Sequence, residues 1–209
     1  MSKKRKNNLE LKTLYRRFKK NIKNRINELK HNFNNPDKML KEFVFCLLTP
    51  QSKAKVCWKA VEEIFEKNCM KDKGKLLNCL RGVRFKNNKA NYILHNTFSF
   101  AQLRKYLTAE KDVFKLREFL VKNVKGYGYK EASHFLRNIG KGKDIAILDR
   151  HILKNLKLYG VIDEIPSVLS KGKYLEIESK MKSFSERIKI PMDELDFLLW
   201  AKEAGEVFK

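Results

Sequence analysis

Proline is scarce in this chain, with 4 in 209 residues, and glycine is modest at 9. Alternating apolar–polar runs are absent, which removes the usual signal of half-buried β-strands. No apolar run approaches the roughly 20 residues of a membrane span. The opening MSKKRKNNLE has no apolar segment behind its basic start, so it does not read as a secretory signal. The four cysteines, Cys46, Cys57, Cys69 and Cys79, lie 11, 12 and 10 residues apart with no CxxC. That spacing fits neither a zinc nor an iron–sulfur pattern, and points to reduced, core-filling thiols in a cytoplasmic protein. Acidic residues are few: 24 against 47 Lys and Arg, a net charge of +23. An excess of one sign this large predicts a polyanionic partner, most often nucleic acid. Residues 1–30 hold twelve Lys/Arg and two Glu.

What is present is helical periodicity. Leu11, Leu14, Tyr15, Phe18, Ile22, Ile26 and Leu29 mark one face of an amphipathic helix behind a basic tail at 1–8. Asn35–Pro36 reads as an N-cap followed by proline at the first helical position, and FVFCLL behind it is apolar on all sides. Further helices are predicted over 53–68, in GKLLNCL and NNKANYILHNTF, and over 109–122, 129–139, 149–159, 168–184 and 192–203. The expected fold class is all-α.

The most informative stretch is VKGYGYKEASHFLRNIGKGKDIAILDRHIL, Val124 to Leu153. One helix ends, a turn carries Gly126 and Gly128, and another helix begins. Glycines tolerate positive φ and let a backbone approach a ligand closely. A turn with outward N–H groups beside a helix N-terminus can hold a phosphate, the arrangement of a helix–hairpin–helix element. A plain glycine C-cap is the competing reading. Lys130 falls in the first turn of the second helix, where a lysine that must attack as a neutral amine is well served. One more surface lysine is the alternative. His134 lies one turn on, on the same face. Asp149 follows the apolar run Ile145–Leu148 at an N-cap position. It can serve as a cap, as a carboxylate held in one orientation beside a cationic sugar, or as both. His151 could donate to a phosphate or be merely solvated.

KGYGYKEASHFLRNIG, AILDRHIL, IDEIPSVLSKGKYLEIE and ELDFLLW together resemble the helix–hairpin–helix DNA glycosylases. They are most similar to the short, archaeal-type second class of 8-oxoguanine DNA glycosylase/AP lyases. The resemblance covers most of residues 9–209. It implies an all-α, two-lobed fold with a DNA cleft between a lobe at about 35–120 and a second lobe of 9–34 and 121–209, with the helix–hairpin–helix at 112–139. It implies excision of 8-oxoguanine from double-stranded DNA and nicking at the abasic site, by a monomer that needs no membrane. Lys130 corresponds to the family's nucleophile and Asp149 to its catalytic aspartate. Gln51 and Arg84–Phe85 correspond to segments that meet the gap left by a flipped base, although Phe85 fits core packing equally well. Asp196 and Trp200 are i, i+4 on one helix and, with His134 and the terminal Lys209, form the implied base pocket; a core role is the competing reading of Trp200. No iron–sulfur cluster and no required cofactor are implied, and a monovalent cation at the hairpin carbonyls is compatible. Two rivals stay open at this point: a glycosylase for another lesion, and a non-catalytic DNA-binding module.

Overall fold

The computed structural model describes residues 3–97 and 99–207, and these form eleven α-helices and no strand. The first five are α1 (Lys3–Lys30), α2 (Pro36–Leu48), α3 (Ala54–Glu66), α4 (Lys73–Cys79) and α5 (Lys86–Thr97). Then come α6 (Phe100–Ala109), α7 (Val113–Asn123), α8 (Tyr129–Asn138), α9 (Arg150–Leu158), α10 (Lys171–Ile188) and α11 (Met192–Ala204). A 3₁₀ turn at His31–Asn34 separates the first two.

The predicted caps operate. Asn35 accepts from Lys38 N through its side chain with Pro36 at the helix start, so α2 begins where the sequence sets it. Phe43 to Leu48 are all buried, which makes α2 the central rod, packed by α3, α5 and α8. Residues 3–8 of the basic tail expected at 1–8 are instead the start of α1, which is already helical at Lys3. Nothing between Lys3 and Leu11 breaks a helix, and Asn7 Nδ2 donates to Leu158 O (3.2 Å). The helix expected from 109 begins at Val113 because Asp112 accepts from Phe114 N and Lys115 N. The separate α6 has no counterpart among the helices that the sequence pattern predicts.

Two hydrophobic clusters form. The first gathers α2 to α8 and Ile145, with Phe43 seated among Phe100, Tyr127 and Phe135 at centroid distances of 5.2, 5.2 and 5.6 Å. The second joins Leu11, Ile22 and Leu29 of α1 to residues from Ala146 to Leu199. Packing therefore draws the division near 145/146 rather than 120/121: one face of the α7–α8 hairpin is filled by α2, so residues 121–139 share the first core. α1 bridges back to close the second cluster against α11.

The two cores meet at a buried polar knot. Arg117 on α7 makes a bidentate pair with Glu178 on α10 (2.6 and 2.8 Å), and Arg117 is 1% exposed. Glu178 Oε1 also accepts from Ala146 N (2.7 Å). The Tyr174 hydroxyl donates to Ala146 O (2.6 Å) and accepts from Leu148 N (3.3 Å). The irregular run Ile145–Leu148 can thus be buried, because side chains from α10 satisfy its main chain. Breaking a buried pair leaves an uncompensated charge at a cost of about 3–5 kcal/mol. Glu178→Ala is expected to lose stability of that order in urea denaturation, whereas an Arg117→Met/Glu178→Met double variant recovers only part of it, because the Ala146 N–H stays unpaired.

Candidate active site

The site starts at the turn between α7 and α8. Gly126 has φ +96, and a Cβ there would stand 2.6 Å from the Tyr92 ring, so no other residue fits without displacing that ring. Gly128 differs from expectation: its φ is −101, an extended conformation open to any residue, and it serves as the N-cap of α8. Its N–H donates to Glu131 Oε2 (3.2 Å), and Lys125 is clamped by Asn96 through both its N–H and its carbonyl.

Lys130 leaves this turn half-buried. Its Nζ donates to Thr49 Oγ1 (3.3 Å), and Glu131 Oε1 lies 3.7 Å away. The Thr49 hydroxyl donates to Cys46 O (3.1 Å), which turns a lone pair toward the lysine. Asp149 is the N-cap of α9, its Oδ1 accepting from Ile152 N (2.8 Å), and the carboxylate is half-buried. Its second oxygen is left for other work.

The third charged group is Asp196, 5% exposed on α11, with Arg137 Nη2 3.8 Å from its Oδ2. Burial pushes its pKa up to about 7; Arg137 opposes this, Asp149 and Asp193 add to it, and Lys130 lowers it. Burial outweighs the arginine because the ion pair lacks hydrogen-bonding distance. Asp196 therefore feels both Lys130 and Asp149, which brings the three groups into one electrostatic neighbourhood. Arg137 is itself buried, with its guanidinium 4.1 Å from the centre of the Phe197 ring. Trp200, one turn beyond Asp196, is half-buried rather than a core residue.

The remaining candidates divide. His134 is buried edge-on to Phe45 (5.5 Å). His151 is exposed and faces Glu203 of α11 (3.9 Å). Gln51 (φ 55) and Phe85 (φ 56) are exposed in loops, each in the left-handed region that non-glycine residues rarely adopt. Arg84 N donates to Ser52 Oγ (3.0 Å), which joins those two loops. Lys209 lies outside the described residues. A cavity of about 940 Å³ opens between α1, α2, α3 and Gly205–Val207, walled by Arg25, Lys41, Glu42 and Trp58. Lys130 and Asp149 do not line it. Sequence reasoning missed Thr49 and Arg137. The second was within reach, since Lys130, His134 and Arg137 follow i, i+4, i+7 along α8.

A family model described as 8-oxoguanine DNA glycosylase (Ogg-HhH) matches residues 6–190. The chain belongs to this family. An 8-oxoguanine DNA glycosylase/AP lyase of Fusobacterium nucleatum is 46% identical, with 96% of each chain aligned. One of Methanocaldococcus jannaschii is 39% identical over 90% of this chain and 91% of that one. The crystal structure of the Thermotoga maritima 8-oxoguanine DNA glycosylase superposes with a TM-score of 0.90 at 34% identity, covering 99% of this chain and 100% of that one. That of the Methanocaldococcus jannaschii glycosylase/lyase, in complex with a 15mer DNA containing 8-oxoguanine, gives 0.89 at 36% identity over 97% and 99%. The family fold is therefore an all-α one, as the helical periodicity requires.

The raised pKa of Asp196 has a sign. The folded chain keeps a proton up to about pH 7 that the unfolded chain releases near the ordinary value of 3.8. Between those values the native state binds more protons, so this group's contribution to stability declines as pH rises from about 4 to 7. Asp196→Asn should flatten the stability–pH curve over that window, read from denaturation midpoints at about pH 4.5 and 7.

Proposed function

We propose that the chain removes 8-oxoguanine from double-stranded DNA and then nicks the strand at the abasic site. The observation that carries this reading is Lys130: a half-buried amine in the first turn of α8, just past the glycine turn and against Thr49. Family membership supplies the substrate class. The net charge of +23 supports phosphate binding of the salt-dependent, sequence-independent kind.

The reaction needs a nucleophile and a stabiliser of positive charge. The target nucleotide is turned out of the stack, with Trp200 offering a stacking face and Asp196 a carboxyl group to the guanine edge. Near pH 7 Asp196 is balanced between donor and acceptor forms. The neutral Lys130 amine attacks C1′ of the sugar. The C1′–N9 bond breaks, and the base leaves with the bonding pair and takes up a proton. Asp149 stabilises the cationic sugar as this charge develops. The amine loses a proton and the C1′–O4′ bond opens, which gives a protonated imine. Removal of a C2′ proton expels the 3′-phosphate and cuts the strand, and water then releases the lysine. His134 supports Phe45 behind the base site, and the turn of Gly126 and Gly128 meets the phosphates. Gln51, Arg84 and Phe85 meet the duplex where the base has left. His151, exposed at the start of α9, offers a phosphate contact.

No step calls on a cofactor. A monovalent cation at the hairpin would use carbonyls such as Val124 O and Lys125 O. These accept from Tyr127 N (3.1 Å) and Asn96 Nδ2 (2.8 Å), and each keeps a second lone pair. Among the described residues no helix is long and apolar enough to cross a membrane.

Two variants test the roles. Lys130→Gln is expected to lose both excision and abasic-site nicking while still binding duplex. Asn caps a helix nearly as well as Asp, so Asp149→Asn should keep its melting temperature yet lose excision by about a hundredfold or more. Native excision rates in either variant, measured on an 8-oxoguanine duplex under single-turnover conditions, would remove that residue from the mechanism.

A further inference from the structure

Lys89 is the oddest charge in the molecule. It lies on α5, 3% exposed, and its ammonium donates to Leu48 O (2.7 Å), Pro50 O (2.7 Å) and Ser52 Oγ (3.0 Å). Those bonds use all three of its protons, and every acceptor is neutral. A buried ammonium without a carboxylate partner is costly. Burial pulls its pKa down; Cys57 opposes this, Lys130 and Arg84 add to it, and Glu131 offsets a little. A charge kept at such a cost needs a reason.

The acceptors supply it. Thr49, Pro50, Gln51 and Ser52 form a β-turn closed by Ser52 N to Thr49 O (3.1 Å). Proline fixes a negative φ at the second position, and Gln51 at the third has φ 55, so the turn is type II. Type I and type II turns differ by a flip of the central peptide, which here is the one carrying Pro50 O. Type I would relieve Gln51 of its left-handed backbone, and would also swing Pro50 O away from Lys89. The ammonium therefore selects the strained form. Ser52 Oγ accepts from Lys89 and from Arg84 N together, and the Lys89 N–H closes the next loop by donating to Phe85 O (3.1 Å). Phe85 is the neighbouring left-handed residue, 54% exposed. Thr49, at the head of the same turn, is the partner of Lys130.

We infer that Lys89 is a positioning residue: its ammonium locks the 49–52 turn and the 82–85 loop into one rigid unit that presents Gln51 and Phe85 together, in register with Lys130. That unit would hold the duplex open while the base is out. The duplex role rests on the function proposed above; the rigid unit does not.

Lys89→Met keeps the stem and removes the ammonium, and Ser52→Ala cuts only the bridge between the loops. Backbone amide exchange in the free protein tests the unit without DNA. Lys89→Met should speed exchange at Gln51, Ser52 and Arg84 to Lys86, with α8 and α9 unchanged. Ser52→Ala should free the 84–86 amides while leaving the 49–52 turn protected, which carries the test if the Met variant fails to fold. Excision tests the use. From a fully paired 8-oxoguanine duplex, Lys89→Met should fall by about tenfold or more, which corresponds to about 1.4 kcal/mol. From a duplex lacking the opposite base, where extrusion is easier, it should stay within a few-fold of the unaltered chain. Equal losses on both substrates, or loop exchange as slow as in the unaltered chain, would overturn the proposal. An unaltered chain that excises neither substrate would sink the proposed function and leave the exchange result to decide the role of Lys89.

Discussion

The placement of Asp149 relative to Lys130 hangs from the buried pair of Arg117 and Glu178. The pair is the point where the two hydrophobic cores touch, and Glu178 does more than neutralise the arginine. It holds Ala146, Tyr174 holds Ala146 and Leu148, and Asp149 is the next residue along. The position of this aspartate is thus set by two side chains of α10, which neither belong to the site nor touch its contents. Lys130 is set independently, by the glycine turn on one side and by α2 through Thr49 on the other. Registering these two groups requires the cores to be registered, and a bidentate ion pair is directional where apolar packing is not.

Charge is distributed with a consistent logic. The large cationic excess is spread over exposed faces, where a polyanion can meet it and where water screens it in the meantime. The few cations taken inside are each held by a specific partner. Glu178 holds Arg117 at the core junction, Asp196 faces Arg137, and the 49–52 turn receives Lys89. Burial keeps Asp196 largely uncharged below neutrality, and its arginine, beyond hydrogen-bonding distance, offsets only part of that.

Much of this was legible in the chain. Asn35–Pro36, Asp149 with its apolar stripe, and the glycine turn before Lys130 are local signals, and the helices start where those signals put them. Position near a helix start drew attention to Lys130 and Asp149, and the roles proposed for them came from the family resemblance. What was not legible is what depends on distant partners. The division of the cores shifted because the apolar face of α8 is filled by α2, far earlier in the chain, and no local pattern records that choice. The left-handed Gln51 and Phe85 carry no glycine to announce them; their conformations are imposed by Lys89 and Ser52 from another element. Lys89 itself reads as one lysine among many until its three acceptors are in view.

In the proposed reaction one particular amine forms the bond to DNA. The most direct measurement is to reduce the reaction with borohydride, digest the trapped protein–DNA product and map the modified residue by mass spectrometry. A single adduct is expected, on Nζ of Lys130, in a chain with 47 lysines and arginines. An adduct on any other lysine or on the N-terminal amine would contradict it.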